Sequence, residues 1–171
     1  MKFVFASVAF CALSLSPVMA AAQVHAVTPA VTPVVNPAVD HLTQAQLIGK
    51  IQELTAKAQG PTGNASIKLA EYPNHFTMIA LRNKSGGAEI HQNFADVFYV
   101  VQGSAALVTG GTVPDGKPSG PGEIRGLAVM GGTQTVLSQG DFVHIPAGVP
   151  HQILLGQGET FVYFVIKVKE K

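Results

Sequence analysis

The sequence contains few charged residues and a single cysteine, and both shortages narrow the classes of protein it could belong to. Only 12% of its 171 residues are charged and its formal net charge is +1, so it lacks the basic surface that nucleic-acid binding requires. The one cysteine, Cys11, lies in a segment predicted to be removed, which excludes a disulfide framework and thiolate chemistry from the remainder. The serine-hydrolase pattern G-x-S-x-G and the nucleotide-binding P-loop pattern are also absent.

The first 22 residues have the features of a secretory signal peptide. Lys2 gives the N-terminus its positive charge. Phe3–Leu15 is an apolar run shorter than the roughly 20 residues that a transmembrane helix needs. Small residues at positions 20–22 suit cleavage by signal peptidase, whereas an uncleaved anchor is the alternative. The sequence therefore predicts an exported protein, periplasmic or secreted, with no stable membrane anchor after cleavage.

Residues 23–39 form an Ala/Pro/Val-rich segment with almost no charge. Pro29, Pro33 and Pro37 recur every four residues, which forbids a regular helix and favours an extended linker. We interpret this segment as a spacer, and a wall-binding or partner-binding segment is the alternative.

Residues 40–60 predict one amphipathic helix. Asp40 or Thr43 can cap its start, and Gly60-Pro61 ends it. An apolar stripe runs along one helical face, at the spacing i, i+4, i+7 and i+11. We expect this stripe to pack on the exterior of the main fold or on a neighbouring subunit. Its members are Leu47, Ile51, Leu54 and Ala58.

Residues 61–171 predict an all-β domain of about ten short strands separated by glycine-rich turns, the pattern of a single barrel or sandwich. The 18 glycines and 11 prolines of the chain agree with such a turn-rich fold. Val113–Gly122 is expected to be a long hairpin loop. The predicted strands are Ser66–Glu71, His75–Arg82, Ala88–Asn93, Asp96–Gln102, Ala105–Thr109, Glu123–Met130, Thr133–Leu137, Asp141–Ile145, Gln152–Leu155 and Thr160–Val168.

The most specific motif is the stretch from Gly140 to His151. A short apolar run is followed by a corner containing Pro146, Gly148 and Pro150, and this corner fixes His151 at the start of another apolar run. The spacing G-x5-P-x-G-x2-H resembles the second conserved motif of the cupin superfamily of small β-barrels. The asparagine that the family places four residues later is Leu155 here.

A second stretch resembles the first cupin motif, G-x5-H-x-H-x3-4-E-x6-G, with substitutions. In the register we prefer, Glu89 and His91 take the two histidine positions, Asp96 takes the glutamate position and Gly103 closes the motif. In the other register His91 comes first and Asn93 second, but only two residues then precede Asp96. The first register needs no deletion.

The resemblance implies a cupin-like double-stranded β-helix, or jelly-roll barrel, holding a divalent metal in its interior. The implied ligands are Glu89, His91, Asp96 and His151, although Asp96 could instead orient His91. Imidazole and carboxylate donors suit Fe, Mn, Ni, Cu or Zn. Without such a site, a strand histidine is an ordinary core or surface residue.

Three further polar residues are candidates for the same pocket. Asn93 shares the alternation of Glu89 and His91, and His144 alternates with Phe142 on a face that could be interior. His75 begins a strand and could approach the mouth of the barrel.

Three functions are compatible with these features. The first is a metal-dependent oxygenase, isomerase or lyase acting on a small oxygenated or carboxylated molecule. The second is a non-catalytic module that binds a small ligand or a metal, and the third is a metal-free structural or interaction barrel. The resemblance also implies a homodimer. Fold analogy does not separate an enzyme from a binder, because one fold can host both.

Overall fold

The computed structural model describes residues 39–170. The predicted signal peptide (residues 1–22), the linker up to residue 38 and Cys11 lie outside the described residues, so these predictions remain untested. Within residues 39–170, no helix is long and apolar enough to cross a membrane.

The helix α1 (Gln44–Lys57) begins at a capping box. The Thr43 hydroxyl oxygen accepts a hydrogen bond from the Gln46 backbone N–H, and the Gln46 side chain accepts one from the Thr43 N–H at 2.9 Å. Thr43 is thus the cap, rather than Asp40. The helix ends before Gly60, with Ala58 at its C-cap.

The predicted stripe of α1 packs on the outer face of one sheet, as expected. Leu54 and Ala58 are fully buried, and they contact Ile79, Leu81 and Val162 on the sheet. Removing this apolar surface from water holds the helix on the barrel, because an isolated helix of this length is marginal in water.

The remainder of the described chain forms eleven strands. They are β1 (Asn64–Glu71), β2 (His75–Arg82), β3 (Ala88–His91), β4 (Phe94–Gln102), β5 (Ser104–Thr109), β6 (Lys117–Gly120), β7 (Glu123–Gly126), β8 (Thr133–Ser138), β9 (Phe142–Ile145), β10 (His151–Leu154) and β11 (Phe161–Lys169).

The strands form two antiparallel sheets with the interior core between them. One sheet has the order β1-β2-β11-β4-β9 and the other β6-β7-β3-β10-β5-β8. Side chains of both sheets meet in one apolar cluster, in which Phe98 and Tyr163 of the first sheet join Leu107 and Ile153 of the second. The predicted all-β fold, a cupin-like double-stranded β-helix with an N-terminal helix, is confirmed.

The stretch predicted as a hairpin loop, Val113–Gly122, contains the edge strand β6. All four residues of β6 are exposed, and one of them is Pro118, so no apolar alternation marks it as a strand. The strand β7 is also shorter than predicted and ends at Gly126 rather than at Met130. The chain turns outward there, where Leu127 is 89% exposed.

Gly103 joins β4 to β5 at the position that closes the first motif. Its φ is +83°, which favours glycine, and a Cβ there would overlap with the carbonyl oxygen of Thr160. Two constraints therefore require glycine at this position.

We predict that Leu54→Ala lowers the free energy of unfolding by about 2–5 kcal/mol, because it leaves a cavity between α1 and the sheet. Urea denaturation monitored by circular dichroism measures this change. Ile48, half-exposed on the same helix, provides the matched control, and Ile48→Ala should change stability by less than about 0.5 kcal/mol. Equal losses in the two variants would contradict the packing described for α1.

Candidate metal centre

Strand alternation and strand pairing bring four of the predicted site residues together. Glu89 and His91 are two apart on β3 and point into the barrel, and His151 on β10 lies directly opposite Glu89. Asp96 approaches from β4 in the other sheet. His91, Asp96 and His151 are all buried.

The proline- and glycine-containing corner before β10 is tied to β3 by the main chain. The Gly148 N–H donates a hydrogen bond to the His91 carbonyl at 2.8 Å. Gly148 has a φ of +84°, a conformation that glycine adopts without strain. The corner therefore holds His151 at a fixed position relative to His91.

Hydrogen bonds at the Nδ1 atoms define the tautomers of the two histidines. His91 Nδ1 lies 2.7 and 2.8 Å from the two carboxylate oxygens of Glu123, and His151 Nδ1 lies 3.1 Å from the Val149 carbonyl oxygen. Because these oxygens accept, each Nδ1 carries a hydrogen, and each Nε2 is the ring nitrogen left to face the carboxylates. His91 Nε2 is buried and has no hydrogen-bond partner among residues 39–170.

The two Nε2 atoms face the carboxylates of Glu89 and Asp96. His91 Nε2 lies 3.5 Å from Glu89 Oε2 and 3.4 Å from Asp96 Oδ2. His151 Nε2 lies 3.9 Å and 3.5 Å from the same two oxygens. Ligands placed about 2.0–2.2 Å from one ion are separated by roughly 3–3.6 Å, so these spacings are close to those of a metal centre.

The donor set fits a divalent transition metal. One ligand atom each from Glu89, His91 and His151 lies within 4.8 Å of the others. The unpartnered, correctly oriented Nε2 of His91 is the atom that a metal ion would satisfy. Glu123 adds the carboxylate–histidine contact that commonly orients a metal-binding imidazole.

Three basic side chains neutralise the carboxylates of this cluster. Arg82 contacts Glu89 Oε1 at 3.0 Å, and Arg125 contacts Glu89 Oε2 at 2.5 Å and Glu123 at 2.9 Å. Lys167, paired with Asp96 across β11 and β4, places Nζ 2.5 Å from Asp96 Oδ1. The cluster is therefore a network of opposite charges.

This environment keeps Glu89 ionised and His151 neutral. Burial disfavours the Glu89 carboxylate, but the neighbouring His91 and the charges of Arg125 and Arg82 outweigh it, so its pKa lies well below its usual range. Burial lowers the pKa of His151 despite the opposing effects of Val149 and of nearby carboxylates. Both groups are thus in the protonation state that metal binding needs.

The cluster lines a cavity of about 650 Å³. Apolar side chains, among them Met78, Phe98, Ile153 and Val165, cover one part of its wall. Charged side chains of the cluster cover another part, so the cavity has a polar and an apolar region.

The other three predicted pocket residues do not line this cavity. His144 lies on the outer face of β9 with its side chain 52% exposed, whereas Val143 and Ile145 of the same strand pack inward. The interior position considered for His144 is therefore wrong. His75 stacks on Tyr72 with ring centroids 4.4 Å apart, and Asn93 follows β3 and lies beside Gly122.

Sequence reasoning did not place Glu123 or Lys167 in the site. Glu123 lies opposite His91 in the β3–β7 pairing, and Arg125 lies opposite Glu89, but neither partnership leaves a local signal. Lys167 did carry a signal, because it falls on the inward alternation of Tyr163 and Val165 along β11. A lysine on a buried strand face marks a functional candidate.

Comparisons with known proteins yield solved structures with low sequence identity. No family model and no curated protein matches the chain. The polyketide cyclase RemF from Streptomyces resistomycificus is 21% identical, with a TM-score of 0.46 over 62% of this chain and 65% of that chain. KdgF from Halomonas sp. is 16% identical, with a TM-score of 0.47 over 66% and 84% of the two chains.

A third structure is the Cnp3 cupin domain of Schizosaccharomyces pombe, which is 10% identical, with a TM-score of 0.47 over 63% of this chain and 61% of that chain. The chain thus spans less than two thirds of the length of both RemF and the Cnp3 domain. At these identities the likeness concerns the fold alone.

We predict that the metal-free protein loses stability as the pH falls through the ordinary histidine range. The pKa of His151 is lowered from 6.5 in the folded state, so below that value the unfolded chain binds a proton that the folded chain does not. Thermal unfolding in chelator from about pH 7.5 to about pH 5.5 measures the loss. His151→Gln should flatten this profile, and the exposed control His144→Gln should leave it unchanged. A wild-type profile that is flat or rises on acidification would contradict the prediction.

Proposed function

We propose that this protein is an exported cupin-type barrel that uses an interior divalent metal to act on a small oxygenated or carboxylated molecule, by oxygenase, isomerase or lyase chemistry. One observation carries the proposal: two buried imidazoles, each anchored at Nδ1, direct their Nε2 atoms toward the same two carboxylates. Glu89, His91 and His151 are the proposed ligands, and Asp96 is a fourth candidate.

A metal in this position would act as a Lewis acid or as an oxygen-binding centre. The residues of the chain supply the remaining functions. Glu123 fixes the His91 ring, and Arg82 and Arg125 hold the Glu89 carboxylate in place. The apolar wall, which includes Met78 and Phe98, offers a non-polar surface to a substrate beside the charged groups.

The cavity size supports a small-molecule substrate. Its volume of about 650 Å³ falls within the roughly 300–1,000 Å³ of known ligand sites. The mixed imidazole and carboxylate donors favour Fe, Mn, Ni, Cu or Zn without distinguishing among them.

A non-catalytic binding module is the second candidate, and the charge network favours it. Each carboxylate of the cluster has a basic partner within 3.0 Å, so the cluster is electrically balanced without a metal. Such a pocket could hold a small ligand through its polar groups alone. Turnover of a small substrate after metal reconstitution would favour the enzyme, and ligand binding without turnover would favour the module.

Export and homodimer formation form the rest of the proposal, and both rest on the sequence. The signal-like segment at residues 1–22 supports export. Fractionation of the producing cells, with N-terminal sequencing of the mature protein, tests export, and light scattering tests the dimer.

We predict near-stoichiometric metal in protein purified without chelator or affinity metal, measured by elemental analysis and by calorimetric titration of the metal-free protein. The double variant His91→Ala/His151→Ala should bind metal at least about 100-fold more weakly, because it loses two of the three proposed ligands. The double variant His75→Ala/His144→Ala removes two histidines outside the cavity and should bind like the parent.

Equal binding by the two double variants would contradict the proposed site. A parent that binds none of Fe, Mn, Ni, Cu and Zn after reconstitution would overturn the enzyme proposal and favour the binding module. Circular dichroism confirms that each variant is folded before its affinity is compared.

A further inference from the structure

The charges around the proposed metal ligands sum to zero before any metal binds. The carboxylates are Glu89, Asp96 and Glu123, and their basic partners are Arg82, Arg125 and Lys167. A divalent cation would therefore leave the cluster with two positive charges in excess.

Such an excess is costly at this position because the groups are shielded from solvent. The side chain of Asp96 is 3% exposed, that of Lys167 13% and that of Glu89 20%. Charge removed from water is stable only when it is compensated locally. Solvent alone compensates poorly here, so an anion beside the metal would stabilise the loaded site.

Lys167 and Arg125 are the cations best placed to meet that anion. Arg82 already donates to both Tyr163 and Glu89 and is almost fully buried. Among residues 39–170, Lys167 forms an ion pair with Asp96 alone and retains unused ammonium hydrogens. Arg125 is paired with Glu89 and Glu123, but its side chain is 43% exposed and therefore open to a ligand, unlike that of Arg82. Both side chains line the cavity.

The rest of the cavity wall indicates the other end of the ligand. Met78, Phe98 and Val165 present apolar surface to the same space as Lys167. A ligand with a short apolar body and a single anionic group would match both regions. A carboxylate suits the anionic group because Lys and Arg bind it with charge-assisted hydrogen bonds.

We propose that the ligand of this cavity is a small organic carboxylate whose binding is coupled to that of the divalent metal, with its carboxylate on Lys167 and Arg125. This inference rests on the proposed function, because it requires the metal site. Coupling is reciprocal, so the carboxylate raises metal affinity by the same factor by which the metal raises carboxylate affinity.

The test measures Zn²⁺ affinity of the metal-free, full-length protein by competition with a chelating dye. Titrations are run with propionate or phenylacetate and with their neutral amides, propionamide and phenylacetamide. We expect at least one carboxylate to tighten Zn²⁺ binding about tenfold or more, a typical coupling, and its amide to have no effect. The reverse titration, carboxylate into protein with and without Zn²⁺, should give the same factor.

The variant Lys167→Met should change two affinities in opposite directions, which the loss of a purely structural residue would not do. Without carboxylate, removing the positive charge should tighten Zn²⁺ binding several-fold, because the repulsion between Lys167 and the metal is lost. The enhancement by carboxylate should shrink at the same time. Lys169→Met, on the same strand but exposed, is the matched control and should behave like the parent.

The possible outcomes separate this inference from the proposed function. Zn²⁺ binding that is the same with every carboxylate and amide would overturn this inference and leave the metal site standing. No Zn²⁺ binding under any condition would overturn the proposed function and this inference together. Carboxylate binding of equal strength with and without Zn²⁺ would show an anion pocket without coupling and would also overturn it. If Lys167→Met does not fold, the wild-type titrations alone distinguish these outcomes.

Discussion

The site depends on the attachment of one corner of the chain to two neighbouring strands. The Gly148 N–H bonds to the His91 carbonyl, and the Pro150 carbonyl accepts from the Gly110 N–H at 2.9 Å. These bonds fix where β10 begins and therefore which way His151 points. A slip of one residue in this pairing would turn His151 out of the barrel, because strand side chains alternate between faces. Main-chain hydrogen bonds thus determine the geometry of the side-chain cluster.

The same alternation sets charged groups among apolar ones inside the barrel. On β11, Tyr163 and Val165 point inward with Lys167, so a strand that contributes to the core also contributes a cation to the cluster. Burying such groups is tolerated because each is paired: Lys167 with Asp96, and Arg82 with both Glu89 and Tyr163. The chemistry and the stability of the barrel are therefore linked through these contacts.

Local patterns in the sequence predicted most of the fold and the inner part of the site. The stripe of α1, the strand alternation and the spacing of the second motif are short-range signals, and the structure has each of them. The edge strand β6 lacked such a signal, and the short strand β9 has apolar residues on both faces, which left the direction of His144 ambiguous. Glu123 and Arg125 contact the cluster only through the pairing of β7 with β3, and a single sequence does not encode that register locally.

The substitutions in the first motif change the net charge of the proposed ligands, and the basic residues around the ligands offset that change. Where the cupin pattern places a neutral histidine, this chain has the ionised Glu89, which adds a negative charge to a buried site. Arg82 and Arg125 both contact that carboxylate and offset the added charge. Since these arginines occupy the Glu89 oxygens, a metal held by Glu89 would share its ligand with them and bind less tightly than at a histidine. When the metal alone binds weakly, an anion bound beside it has a larger effect on the fraction of sites that hold metal. The replacement of a motif histidine by Glu89 therefore favours a site in which metal and ligand bind together.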